Sequence, residues 1–99
     1  MRSSQLIPIQ NYFAETLRET LEDWGKTQKE ISADTGIIPS HLSEMKTGKR
    51  RCTPEYDLRL SRYFGIDPGY FLRLQLNYDL EKVQADLGET IRREVQPAA

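Results

Sequence analysis

Residues 27–48 leave the backbone few choices. Thr27, followed three residues later by Glu30, is a helix start, because each side chain can satisfy a free N–H of the first turn. Gly36 then supplies a turn at positive φ without steric cost. Pro39 is well tolerated in a first helical turn, and Gly48 stops the segment it opens. The pattern predicts one short helix ending near Thr35, a tight turn, and a second short helix from about Pro39. Ser32 is small enough to let the two helices cross closely. Ile31, Ile37, Leu42 and Met45 are apolar where the helices must face each other and their neighbours. These are the geometric requirements of a helix-turn-helix.

The flanking segments are also helical. Phe13, Leu17, Leu21 and Trp24 recur at helical spacing from about Gln10, and Gly25 ends that helix; Trp24 is expected to anchor the core. Thr53 and Pro54 open a fourth helix that carries Leu60, Tyr63 and Phe64 inward and stops at Gly65. Asp67 and Pro68 repeat the device for a fifth, running through Tyr70, Phe71, Leu74, Tyr78 and Leu80 to Val83. Its aromatic stripe suits a core, a dimer interface, or both. Gly88 is expected to interrupt it, with Ile91 and Val95 marking a short last helical piece and a frayed tail after Pro97. No segment alternates like a strand. The expected fold is all-α: one domain over 1–99, a five-helix core at about 10–83 and a short helical C-terminal extension at 84–99.

Composition narrows the class. Charged residues at 29% and hydrophobic ones at 37% are too apolar a mix for a fully disordered chain. Cys52 stands alone, so no internal disulfide or zinc cluster forms, and it is expected to be a small buried residue. No stretch approaches about 20 apolar residues, and MRSSQLIPIQ lacks a long apolar signal core. A cytoplasmic protein with no membrane contact is expected. One histidine, one cysteine and no phosphate-binding glycine loop argue against an enzyme; no metal or cofactor is expected. The net charge of −1 is unusual for a nucleic-acid binder. The distribution is more telling. Lys26, Lys29, Lys46, Lys49, Arg50 and Arg51 face only Glu30, Asp34 and Glu44 within the central window, which leaves the rest acidic. A basic middle on an acidic body suits a polyanion plus a cationic protein partner; acidity that serves only solubility is equally compatible.

A rotation of about 100° per residue identifies the outward face of the third helix. Leu42 and Met45 define the inward direction, with Ile38 on the same side. Ser40, Ser43, Glu44 and Thr47 then point outward, with Pro39 and His41 on the flanks. Such a face enters the major groove. Serine and threonine hydroxyls can bond base edges or phosphates, and Glu44 can accept from the cytosine amino group. His41 is either a phosphate or base contact or a partly exposed residue without a partner. Thr27 and Gln28 open the second helix, where backbone N–H groups and the amide can meet one phosphate. Lys49, Arg50 and Arg51 follow the reading helix directly and suit the DNA backbone. No arginine or glutamine projects from the centre of the face, so dimerisation or DNA shape must add to specificity.

TQKEISADTGIIPSHLSEMKTGKR resembles the helix-turn-helix of the phage-repressor-like XRE regulators. TPEYDLRLSRYFGIDPGYFLRLQLNYDLEK is similar to HigA-type antitoxins of addiction modules, in its Thr-Pro start, the glycine before Asp67-Pro68, the Tyr70-Phe71 pair and the Leu-x-Leu-Gln to Tyr-Asp-Leu run. The resemblance covers about Thr27 to Val83. It implies a lambda-repressor-like fold and a homodimer with two tasks. One is to neutralise a cognate toxin, typically a RelE-like mRNA interferase. The other is to repress its own operon by binding double-stranded operator DNA. It also implies phosphate contact by Gln28, groove contact by Ser40 and Ser43, and backbone contact by Lys49 and Arg50. Pro39 and Glu44 depart from the basic or polar residues usual there, and Thr35 and Lys26 from apolar ones.

Two other readings share the sequence. A stand-alone XRE repressor would bind an operator without a toxin. An interaction module that has lost DNA binding would fit Pro39, Glu44 and the negative net charge. The acidic residues Glu15, Glu19, Glu22 and Asp23 of the first helix are the expected seat of a basic toxin.

Overall fold

The structure, a computed structural model, describes residues 8–98. Most of the opening segment read for a signal core (residues 1–7) and Ala99 lie outside the described residues. Five helices follow in order: α1 Tyr12–Asp23, α2 Gln28–Thr35, α3 Pro39–Lys46, α4 Pro54–Phe64 and α5 Tyr70–Glu94. No strand occurs among the described residues. Helix α1 packs on α3 and α5, α2 on α3 and α4, and α4 on α5. Phe13, Leu17, Ile31, Ile37, Leu42, Met45, Leu60 and Phe71 are buried together where these helices meet.

The local signals account for most boundaries. Thr27 accepts from the Glu30 N–H at 3.1 Å, and Glu30 accepts from the Thr27 N–H at 2.8 Å. Gly36 closes α2 in the left-handed region at φ 76°. A side chain there would be strained and would also meet Arg59, whose guanidinium donates to the Thr35 carbonyl at 3.0 Å. The turn is pinned from inside: Ser32 Oγ donates to the Ile37 carbonyl, and the Ile37 N–H donates to Thr35 Oγ1. The two small hydroxyl residues thus satisfy a buried turn that apolar residues could not.

Four sequence expectations need correction. Trp24 is 41% exposed: it lies at the rim, edge-on to Phe64 with centroids 4.8 Å apart, and its indole N–H donates to Tyr63 at 3.2 Å. A deeply buried indole would need a polar partner there, and the one available is at the surface. Ile38 is 53% exposed while Ile37 is buried. Ile38 is the N-cap, with non-helical geometry (φ −56°, ψ 133°), so helical rotation does not apply to it.

Asp67 and Pro68 do not cap the fifth helix. They form a turn in which the Tyr70 N–H bonds the Asp67 carbonyl and Gly69 sits at φ 90°, a type II turn with proline and glycine in their usual places. The cap comes from another helix. The carboxylate of Asp57, in α4, accepts from the N–H groups of Gly69 at 2.5 Å, Phe71 at 2.9 Å and Leu72 at 3.1 Å. Finally, Gly88 does not interrupt α5, which runs unbroken to Glu94. One helical glycine costs only about 1 kcal/mol relative to alanine, less than abandoning the hydrogen bonds on either side. The expected separate extension is the second half of this helix.

Candidate nucleic-acid interface

Burial of Leu42 and Met45 turns the opposite side of α3 outward. Pro39, Ser40 and Thr47 are exposed, and His41, Ser43 and Glu44 are partly exposed. Gln28 is partly exposed at the first position of α2, beside the capped Thr27. Lys49 and Arg50 are exposed in the loop after α3, folded back by their N–H bonds to the Glu44 carbonyl.

The side chains are less independent than a helical projection suggests. Thr47 donates its hydroxyl to the Ser43 carbonyl at 3.0 Å, so it faces a ligand mainly as an acceptor. Thr27 has spent one lone pair on its cap. Glu44 binds the Arg50 guanidinium at 2.7 Å. This carboxylate therefore holds a basic residue across the end of α3. His41 has a partner: its Nδ1 lies 2.6 Å from the hydroxyl of Tyr56, on α4.

Sequence reasoning missed three residues, two of them beside this face. Tyr56 carries no motif signal, since its hydroxyl meets His41 only through the packing of α4. Asp79 grips Arg51 with two bonds, of 2.8 and 2.7 Å, from α5. The hydrogen bond from Arg51 holds the Asp79 carboxyl below the usual carboxylate range. Asp57, described above, is buried in α4. Three of the six basic residues in the central window are thus paired with carboxylates: Lys26 with Asp34, Arg50 with Glu44 and Arg51 with Asp79.

Cys52 adjoins the basic run but is buried. Its backbone is clamped by Gln75, which accepts from the Cys52 N–H at 2.7 Å and donates to its carbonyl at 3.0 Å. Burial pushes the thiol up to about 12, so thiolate chemistry at neutral pH is suppressed. Among the described residues there is no group of metal-ligating side chains, and no helix is long and apolar enough to cross a membrane.

Two short helices at a tight turn, with a polar outer face on the second, define a helix-turn-helix protein. No protein-family model matches the chain. It is 34% identical over 73 residues to virulence-associated protein I of Dichelobacter nodosus, covering 73% of this chain and 68% of that protein. It is 31% identical over 68 residues to the uncharacterized HTH-type transcriptional regulator YddM of Escherichia coli K12, covering 69% of this chain and 72% of the relative. An addiction module antidote protein of the HigA family from Coxiella burnetii superposes with a TM-score of 0.81 at 29% identity, over 87% of this chain and 95% of that one. The Pseudomonas aeruginosa antitoxin HigA, solved with the higBA promoter, has the same fold, with a TM-score of 0.81 at 22% identity over 89% and 97% of the two chains. The chain belongs to the helix-turn-helix transcriptional regulators, and among them it is similar to HigA-type antitoxins, DNA-binding regulators and not enzymes.

Proposed function

We propose that this chain is a cytoplasmic antitoxin that binds operator DNA as a homodimer, represses its own operon, and neutralises a cognate mRNA-cleaving toxin by complex formation. The observation that carries the reading is the outer face of α3, where Ser40 and Thr47 are exposed and Ser43 is partly exposed, together with Gln28 at the start of α2 and the exposed Lys49 and Arg50 just after α3. Phosphate contacts by Gln28, Lys49 and Arg50 would position the helix, and Ser40 and Ser43 would read base edges. Thr27, Pro39 and Thr47 complete the surface, and Glu44 serves it by orienting Arg50. The likeness to an addiction module antidote protein supports the toxin partner. For its seat, α1 offers the exposed Glu19, Glu22 and Asp23 and the partly buried Glu15.

The test has two arms. Binding to the protein's own promoter should weaken steeply as salt rises, because phosphate contacts release counterions. Co-expression should rescue cells from the product of a short neighbouring reading frame. Salt-sensitive binding without any rescue would leave a stand-alone repressor; no binding even at low salt would leave an interaction module. The two contact classes separate by mutation. Lys49→Ala with Arg50→Ala should lower affinity for all sequences alike, whereas Ser40→Ala with Ser43→Ala should narrow the gap between operator and random DNA. Equal loss of preference from both pairs would contradict these roles.

Arg51 supplies a separate prediction. In the free protein Asp79 competes with phosphate for its guanidinium. Asp79→Asn should raise operator affinity several-fold and steepen the dependence of log affinity on log salt by about one, the contribution of one more neutralised phosphate. Fluorescence anisotropy at several salt concentrations measures both. An unchanged slope would mean that Arg51 does not reach the DNA backbone.

A further inference from the structure

We infer that Tyr56 is a positioning residue that fixes the imidazole of His41 as a hydrogen-bond donor towards DNA. The inference rests on the operator-binding reading above and adds to it a group outside the helix-turn-helix. His41 stands in the first turn of α3, at the flank of the outward face. Left alone there, an imidazole would sample several rotamers and both neutral tautomers. It is not left alone, since Nδ1 meets the Tyr56 hydroxyl at 2.6 Å.

Tyr56 is itself well mounted. Its backbone N–H donates to Thr53 Oγ1 at 3.1 Å in the capped first turn of α4. Its ring packs against the hydrophobic core and lies 5.8 Å from the imidazole, centroid to centroid. The hydroxyl therefore has a defined position, and the imidazole inherits it.

Two directions are open to this contact, since a phenol can also accept from a ring N–H; we assign the phenol as donor, because its O–H is a strong donor and its ring-conjugated oxygen a weak acceptor, whereas a bare imidazole nitrogen is a strong acceptor. With Tyr56 donating to Nδ1, the imidazole proton resides on Nε2. His41 then offers an N–H. That group bonds acceptors: phosphate oxygens, or the N7, O6 and O4 atoms of base edges. It cannot accept from the amino groups of cytosine or adenine. Arg50 lines the same open hollow, of about 420 Å³, beside His41, Tyr56 and Thr53. Glu55, also at this hollow, is occupied by Arg59 at 2.9 Å. The hollow thus places two N–H donors, of His41 and Arg50, side by side, as an acceptor-rich ligand requires.

The chain has one histidine, so its imidazole ¹⁵N spectrum is a single-residue readout. The free protein should show the proton on Nε2, and Tyr56→Phe, which keeps the ring, should give a mixture of tautomers. In operator binding, Tyr56→Phe and His41→Ala should each lose about three- to tenfold, and the double variant should be no worse than His41→Ala alone. Loss at one operator position identifies a base acceptor; equal loss on every sequence identifies a phosphate. A proton on Nδ1 in the free protein, or additive losses, would overturn the inference. Wild-type affinity from His41→Ala would overturn it while leaving the operator-binding reading intact. A wild-type protein that binds no operator would overturn that reading itself, and with it the DNA role of His41.

Discussion

Asp57→Ala should destabilise this protein by about 3 kcal/mol, a large share of the roughly 5–15 kcal/mol available to a domain of its size. The carboxylate is buried and accepts three backbone N–H groups from the start of α5. No local side chain replaces it, because the N-cap of α5 is Gly69. Removing it leaves the Phe71 N–H without a partner in a buried setting, where desolvation is not recovered. The melting temperature should fall by roughly 10–20 °C, measured by circular dichroism. Asp57→Asn should fall between, since an amide keeps one acceptor but turns a donor towards other donors. A wild-type melting curve for Asp57→Ala would show that the turn at Asp67 to Tyr70 holds α5 without help.

The second large effect concerns assembly. Leu76, Leu80, Val83, Leu87 and Ile91 of α5 are each 45–59% exposed. They recur at spacings of three and four, so they form one stripe along the helix, like the seam of a helical pair. We propose that a second copy of this chain covers it, since one short reading helix spans too few base pairs alone. Leu80→Glu with Leu87→Glu should raise the dimer dissociation constant more than about 1,000-fold, from the apolar burial lost and the charges placed opposite each other. Operator affinity should fall at least about 100-fold, because the second half-site contact is no longer linked to the first. Sedimentation and gel shift report the two effects. A variant that stays dimeric would move the interface elsewhere. One that becomes monomeric yet keeps full operator affinity would refute the two-half-site reading.

The boundaries of α2, α3 and α4 were legible because their signals are local. Thr27 with Glu30, and Thr53 with Pro54, act within one turn, and Gly36 and Gly65 terminate helices through their own φ. The outward side of α3 was legible for the same reason: Leu42 and Met45 orient it by rotation alone. Ile38 escapes this rule because it stands one residue outside the helix, where rotation no longer sets direction. The aromatic stripe of α5, left open between core and interface, divides: Phe71 is core, Tyr78 is half-buried, and Tyr70 and Leu80 are exposed.

The helix-turn-helix pattern needed nothing beyond residues 27–48, since caps, turns and helical rotation are settled by neighbours in the chain. The working state of its side chains was not visible there. Asp57 caps a helix that begins thirteen residues later, Tyr56 orients His41 across fifteen residues, and Asp79 holds Arg51 across twenty-eight. Each is a hydrogen bond between groups whose separation is set by how α3, α4 and α5 pack. A pattern read along the chain can place such residues on helices, but it cannot bring them together.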